Sequence, residues 1–457
     1  MTRPGSRLRR FARELRVTAL LALPVVLGQL SAIGMNFVDA VVAGRHGQIT
    51  LAAVGIGTAV WSVVVLVLIG VMMAVPPFVA QLNGGNRRSE VGPLFRQALW
   101  LALALGLGLM LAVRQGGVLL DLVGVTEAAR PDAVAYLRAI SWGAPALALL
   151  FTFRYLSEGV AWTLPTMVSG VAGLVALVPL NWILCFGAFG IPEMGAVGLG
   201  YATVIVLWGM AAGLGLYVAR ARRFNDLRLF DRFDWPRWRP VRELLRVGLP
   251  MGVTVFMEGS LFVAAALVIG RIGALEIAAH QIAINVASLA FMVPLGLAMA
   301  TTVRVGHAVG AGNLSGVRWA AASGYTIAVL AQGASALLMV LFGAWIAGLY
   351  TRDPAVVALA AHLLLFAAAF QLVDGVQALS AGSLRGLKDT RVPMVLAGLS
   401  YWAVGMPVGI WLTLGRDWGA QGMWVGLIAG LSLAAVLLGG RFLRLARRPP
   451  GLGRPGV

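Results

Sequence analysis

Three carboxylates stand where a carboxylate is expensive. Glu258 lies in GVTVFMEGSLFVAAALVIG, Asp374 in LLLFAAAFQLVDGVQALSAG and Asp39 in GMNFVDAVVAG, each inside an apolar run. An ionisable group near the centre of a bilayer costs about 2.5–3.5 kcal/mol to insert and usually faces a cavity or a polar partner. A desolvated carboxyl can load and release a proton. With neighbouring oxygens it can instead hold a hard monovalent cation, and either use suits a cationic substrate that a competing ion displaces. The other reading is structural, with each acid bracing its neighbouring helices through hydrogen bonds. A carboxylate pair also suits general acid–base catalysis, but no nucleophile or metal-ligand cluster accompanies these acids. Cys185, the only cysteine, falls in an apolar segment, so neither a disulfide framework nor a cysteine metal site is expected. The intramembrane amides and hydroxyls Gln29, Asn36, Asn181, Thr203, Gln281 and Asn285 are either helix-packing contacts or ligands. Met35, Met257, Met292 and Met299 could line an adaptable apolar surface.

The elements that must position these groups are membrane helices. Of 457 residues 60% are hydrophobic and only 12% charged, whereas soluble domains carry about 25% charged residues. Apolar runs long enough to span a bilayer predict an all-α membrane protein of about twelve helices. They fall near 17–43, 51–81, 94–113, 131–157, 165–187, 194–219, 243–270, 277–307, 316–349, 355–384, 391–414 and 419–443. The net charge of +18 is spread between the runs rather than gathered on one face, so no nucleic-acid partner is expected. Arginine collects at the N-terminus, at Arg87–Arg88, across Arg220–Arg246, at Arg304 and Arg318, from Arg385 to Arg391, and from Arg441 to Arg448. The alternate gaps hold little more than Arg45, Arg114, Arg130, Arg271, Arg352 and Arg416. The positive-inside rule makes the first set cytoplasmic, with both termini inside. The basic N-terminus precedes an apolar run too long for a signal peptide, and that run reads as the first span.

The halves repeat. VAGRHGQITLAAVGIGTAV (Val42–Val60) aligns with VIGRIGALEIAAHQIAINV (Val268–Val286), and Pro24 with Pro250, at an offset of 226 (270 − 44 for the paired glycines Gly44 and Gly270). Pro165 and Pro179 pair with Pro393 and Pro407, and Gly195–Ala196 with Gly419–Ala420. The expected organisation is an N-terminal lobe over 1–220, a connector over 221–241 and a C-terminal lobe over 242–457. With six helices each, the lobes share one orientation and are related by a pseudo-two-fold along the membrane normal. Parallel repeats of this kind predict a transport site at their interface near mid-membrane. The Arg-rich connector with Trp235 and Trp238 reads either as a solvated loop or as a segment lying on anionic headgroups.

Three stretches carry a resemblance. LPVVLGQLSAIGMNFVDAVVAG, the run from Glu258 through AAHQIAINVASLAFMVPLGLAMATTVRVGHAVGAGN (with His280), and FQLVDGVQALSAGSLRGLKDTRVP from Phe370 to Pro393 resemble the NorM-like branch of the multidrug and toxic compound extrusion (MATE) family. The resemblance covers nearly the whole chain. It implies a V of two six-helix lobes in a bacterial inner membrane, working as a secondary antiporter. It also implies export of amphipathic, often cationic drugs in exchange for Na⁺ or H⁺, with no cofactor, membrane lipid as surroundings and one chain sufficient. By matching motif positions, Glu258 and Asp374 correspond to the cation-coupling carboxylates of the C-terminal lobe, with Na⁺ as a candidate ligand. Asp39 corresponds to the first-helix acid, with Asn181 and Thr203 as companions. Gln281, Gln29 and Phe370 fall at cavity-lining positions, and Pro24 matches a proline linked to bending of the first helix. Phe370 stands where such relatives often have Tyr, which removes one oxygen from a Na⁺ site. Two other readings are a lipid-linked saccharide flippase of the related superfamily and a non-transporting membrane scaffold. The first needs cationic cavity residues for pyrophosphate, and the second needs no buried carboxylates.

Overall fold

The computed structural model describes residues 4–123 and 129–447, and the described residues form helices and short turns without a strand. Arg3 and Arg448, two of the arginines that mark the termini as basic, lie outside the described residues. Among the described residues, eleven helical stretches are long and apolar enough to cross a membrane, twelve if a bent pair counts as one span. They expose many large apolar side chains, Leu20, Val63, Leu111, Val175, Leu267, Leu330 and Val436 among them. Hydrocarbon rather than water solvates such faces.

The first half contains α1 (Pro4–His46), α2 (Gln48–Met72), α3 (Val75–Gly84), α4 (Val91–Arg114), α5 (Gly116–Val123), α6 (Arg130–Ser141), α7 (Gly143–Gly159), α8 (Leu164–Phe186) and α9 (Gly195–Arg220). The second contains α10 (Trp238–Gly270), α11 (Ala274–Gly310), α12 (Leu314–Gly348), α13 (Pro354–Gly386), α14 (Arg391–Gly398), α15 (Met406–Ile410) and α16 (Ala420–Leu445). Three departures from the expected spans have local causes. Helix α1 starts well before residue 17, because its charged first turns are held in place: Glu14 pairs with Arg304, and the Thr18 and Ser323 hydroxyls meet at 2.7 Å. The run 131–157 breaks at Trp142 into α6 and α7, bent by 42°. The run 391–414 carries π-helical turns at Leu399–Gly405 and Trp411–Gly415 on either side of α15. Pro407, inside α15, has no N–H to donate, and wider turns next to it absorb the mismatch.

The repeat is present in the backbone. Gly47 before α2 (φ 162, ψ 165) and Gly273 before α11 (φ 174, ψ 167) take the same extended conformation. Ala161 (φ 59) and Lys388 (φ 58) occupy the same left-handed turn position in the two halves, as do Gly195 (φ 53) and Gly419 (φ 62).

The compact units do not follow the expected lobe boundaries at 220 and 242. One unit consists of Met1–Val26, Gly84–Asn86 and Val253–Val457, the other of Leu27–Asn83 and Arg87–Gly252. The start of α1 therefore packs in the unit of the C-terminal helices, and the start of α10 in the unit of the N-terminal ones. Each crossing falls two residues after a proline inside the helix, Pro24 or Pro250. Within the second of these units the start of α10 lies tightly on α2. A Cβ on Gly70 would come 2.2 Å from the Gly252 Cα, so no larger residue fits between these backbones.

Candidate functional site

In the N-terminal half, α1, α8 and α9 bring Asp39, Asn181 and Thr203 together. Asn181 Nδ2 donates to Asp39 Oδ1 at 2.6 Å, and Thr203 Oγ1 donates to Oδ2 at 3.4 Å. All three are buried. Small residues let the helices approach closely enough for this: a Cβ on Gly198 would lie 2.3 Å from the Leu184 carbonyl oxygen. Asn181 Oδ1 has no hydrogen-bond partner among the described residues. Tyr136 of α6 lies within electrostatic reach of Asp39 and shares a 3.4 Å hydroxyl contact with Thr58.

In the C-terminal half the donors are fewer. Asp374 on α13 is 2% exposed, and its Oδ1 has no partner among the described residues. It lies within the electrostatic reach of Glu258 on α10, which in turn feels Arg385 at the end of α13. Tyr401, fully buried in the first π turn, is influenced by all three charges, and its hydroxyl accepts from Gln377 Nε2 at 2.6 Å. Gln371, one turn before Asp374, is turned away to donate to the Ala287 carbonyl at 2.8 Å and accept from Gln332. The second half thus holds two carboxylates, a phenol and an arginine, and the buried Asp374 Oδ1 has no donor among the described residues. An unpaired buried carboxylate oxygen is costly to keep, and a proton or a cation would satisfy it.

Several expected lining residues sit differently. Phe370 is not on an open surface: it is buried with its ring edge-on to Phe262 and Trp424, at 6.0 and 5.7 Å. Gln29 does not project freely either. Its Oε1 accepts from Arg154 at 2.9 Å, and Arg154 Nε donates to Glu158 at 2.7 Å, within a nearly buried ion pair. Gln281 does lie on an exposed face of α11, together with Asn285 and Ser288 at helical spacing. Pro24 lies inside α1, which continues through it as one helix.

Sequence reasoning missed Arg154 and Glu158 because they close an apolar run and pass for end charges. Their i, i+4 spacing on one helix face was the available signal. Nothing in the local sequence marked Tyr401, which reaches the acids only through the π turn. His280 is buried against Trp424, ring centroids 5.8 Å apart, with neither ring nitrogen hydrogen-bonded among the described residues. A recess of about 610 Å³ along α8 and α9, lined by residues such as Val168, Ala172, Ala176 and Met210, is almost wholly apolar and includes none of the carboxylates.

The MatE family model matches residues 24–183 and 250–411, two blocks whose starts are separated by the same 226 residues (250 − 24) as the internal repeat. The chain belongs to the MatE family. Among the relatives of this MatE chain, a "Probable multidrug resistance protein NorM" of Xanthomonas campestris pv. campestris is 55% identical, over 96% of each chain. The "Multidrug resistance protein PmpM" of Pseudomonas aeruginosa is 42% identical, over 97% of this chain and 94% of that one. These place it in the NorM-like branch. The crystal structure of the eukaryotic MATE transporter AtDTX14 superposes with a TM-score of 0.87 at 21% identity, covering 96% of this chain and 99% of the other. At that identity the match establishes the fold, that of a multi-pass, all-helical membrane protein.

Proposed function

We propose that this MatE chain is a secondary multidrug efflux antiporter that exports amphipathic, often cationic compounds in exchange for Na⁺ or H⁺. It is a transporter without enzymatic activity or cofactor, works as a single chain in a bacterial inner membrane, and keeps both termini in the cytoplasm. The observation that carries this reading is the set of three intramembrane carboxylates. Asp39 is supplied with donors, while Asp374, beside Glu258, has an oxygen without one. Coupling-ion entry neutralises the Glu258–Asp374 pair or Asp39 and weakens the hold on a cationic drug. Ion release restores the negative charge and recharges the site. Intramembrane acids of this kind mark ion and proton pathways, and an acidic site attracts a cationic substrate. The names of the relatives, multidrug resistance proteins, support the substrate class.

The test is ethidium movement in proteoliposomes, with a proton gradient and a Na⁺ gradient imposed separately on wild type and Asp374→Asn. Movement driven by one gradient and lost in the variant is the expected result and identifies the coupling ion. Full movement in the variant would overturn the assignment of Asp374.

A further inference from the structure

The connector between α9 and α10 pairs Asp226 with Arg88 and Asp234 with Arg96, leaves Asp231 and Glu243 exposed, and presents further arginines and aromatic rings outward. Between Arg220 and Arg246 the chain has nine arginines against four acids. Arg88 Nε donates to Asp226 at 2.5 Å. Arg96 Nε donates to Asp234 at 2.6 Å, and its Nη1 donates to the Arg228 and Leu229 carbonyls at 2.7 and 3.0 Å. Asp231 reaches Arg228 at 4.0 Å. Arg222, Arg239 and Arg242 are exposed and pair with no carboxylate among the described residues.

The same contacts fix where the connector lies. Gln97 Nε2 donates to the Trp235 carbonyl and its Oε1 accepts from the Arg237 N–H, at 3.0 and 2.6 Å, while Trp100 Nε1 donates to the Asp234 carbonyl at 2.9 Å. Gly92 makes room for this docking, since a Cβ there would meet the Arg228 carbonyl oxygen at 2.2 Å. The segment therefore runs down the flank of α4 as far as Trp100, nine residues past Val91. At the helical rise that is about 14 Å along α4. There the rings of Trp100, Phe233 and Trp235 meet edge to face, at 5.9 and 5.2 Å. Phe233, Trp235 and Trp238 remain 68%, 73% and 70% exposed. Exposed tryptophans beside unpaired arginines at the end of a membrane-spanning helix suit the bilayer interface, where amphipathic rings sit at headgroup level.

We propose that this flank of α4 and the connector forms a binding surface for anionic phospholipid. Trp235, Trp238 and Phe233 enter the interface, and Arg222, Arg239 and Arg242 hold the phosphate headgroups. The proposal rests on the membrane reading of the chain but not on drug transport, and its test is independent of transport. Purified full-length protein in detergent is titrated with phosphatidylglycerol, phosphatidylcholine or glycerol 3-phosphate, and bound molecules are counted by native mass spectrometry. Each arginine near an anionic surface is worth about fivefold in binding. The triple variant Arg222→Gln/Arg239→Gln/Arg242→Gln should therefore lower phosphatidylglycerol affinity by up to about a hundredfold. Trp235→Ala/Trp238→Ala should weaken both lipids while preserving the preference between them. All five changes are at exposed positions, and an unchanged melting temperature in detergent would show that the variants fold. Equal binding of the two lipids, phosphatidylglycerol preference kept in the triple variant, or equal binding of glycerol 3-phosphate would each overturn the proposal.

Discussion

The two halves of the chain share a backbone and not a chemistry. The offset of 226 that pairs Gly47 with Gly273 pairs Asp39 with Ala265 and Glu258 with Ala32, and the local offset of 227 set by Ala161 and Lys388 pairs Asp374 with Leu147. Each of these three acids thus has an apolar counterpart. The first half surrounds its acid with an amide and a hydroxyl, while the second sets two acids near each other beside a phenol and an arginine. A duplicated scaffold has kept its turns and helix ends and diverged in the few positions that carry charge. The first acid has both oxygens met by side-chain donors, whereas Asp374 keeps a buried oxygen that no donor among the described residues meets.

The sharpest way to break that contrast is to neutralise the acids one half at a time. Asp374→Asn should reduce gradient-driven ethidium transport to background, and Glu258→Gln should do nearly the same. Asp39→Asn, whose new amide can still bond in its place, should retain part of the rate in the same vesicle assay. Equal and complete loss from all three would erase the difference between the halves.

Next in size is the buried pair that only the first half contains. Arg154→Met leaves Glu158 without its partner, and stranding one member of a buried pair costs about 3–5 kcal/mol. The variant should melt well below wild type in detergent, and Arg154→Met/Glu158→Gln should recover much of the loss.

Asn181→Ala removes the shorter of the two bonds to Asp39. Leaving a buried acceptor unsatisfied costs about 1–3 kcal/mol, to be read as a lower melting temperature. Thr203→Val, which loses only the 3.4 Å contact, should cost less.

The smallest effect lies outside the membrane. The hydrogen bond from Arg88 holds the Asp226 carboxyl below its ordinary value of 3.8. A depressed carboxylate contributes stability at neutral pH that is lost as pH falls below the ordinary value toward the lowered one. Because both partners are partly exposed, the contribution is about 0.5 kcal/mol. An acid titration of melting temperature should show slightly less slope in Asp226→Asn than in wild type.

Much of this was legible in the sequence for a simple reason: hydrocarbon imposes long apolar runs, and duplication imposes constant offsets. The helices, the paired prolines and the three acids all follow from those two constraints. So does the meeting of Asp39 with Asn181 and Thr203, once the resemblance is admitted. Tyr401 was not legible, because it reaches the acids through a π turn that no residue pattern announces. Phe370 and Gln29 were misplaced because periodicity says that a residue is on a face, not which neighbour covers it. Trp424 covers the first and Arg154 the second. The start of α1 was cut short because its charged turns read as tail until Arg304 and Ser323 are seen beside them.

The exchange of helix starts between the compact units bears on the order of synthesis. Residues up to Val26 belong with a unit whose remainder lies almost entirely after residue 252, and Glu14 waits for Arg304, 290 positions later. While the first half is being inserted, the leading segment of α1 has no partner of its own unit except the few residues at Gly84–Asn86. A gene divided at the connector would leave each product short of a piece held by the other. Neither should accumulate when expressed alone, and both should survive when the ribosomes supply them together.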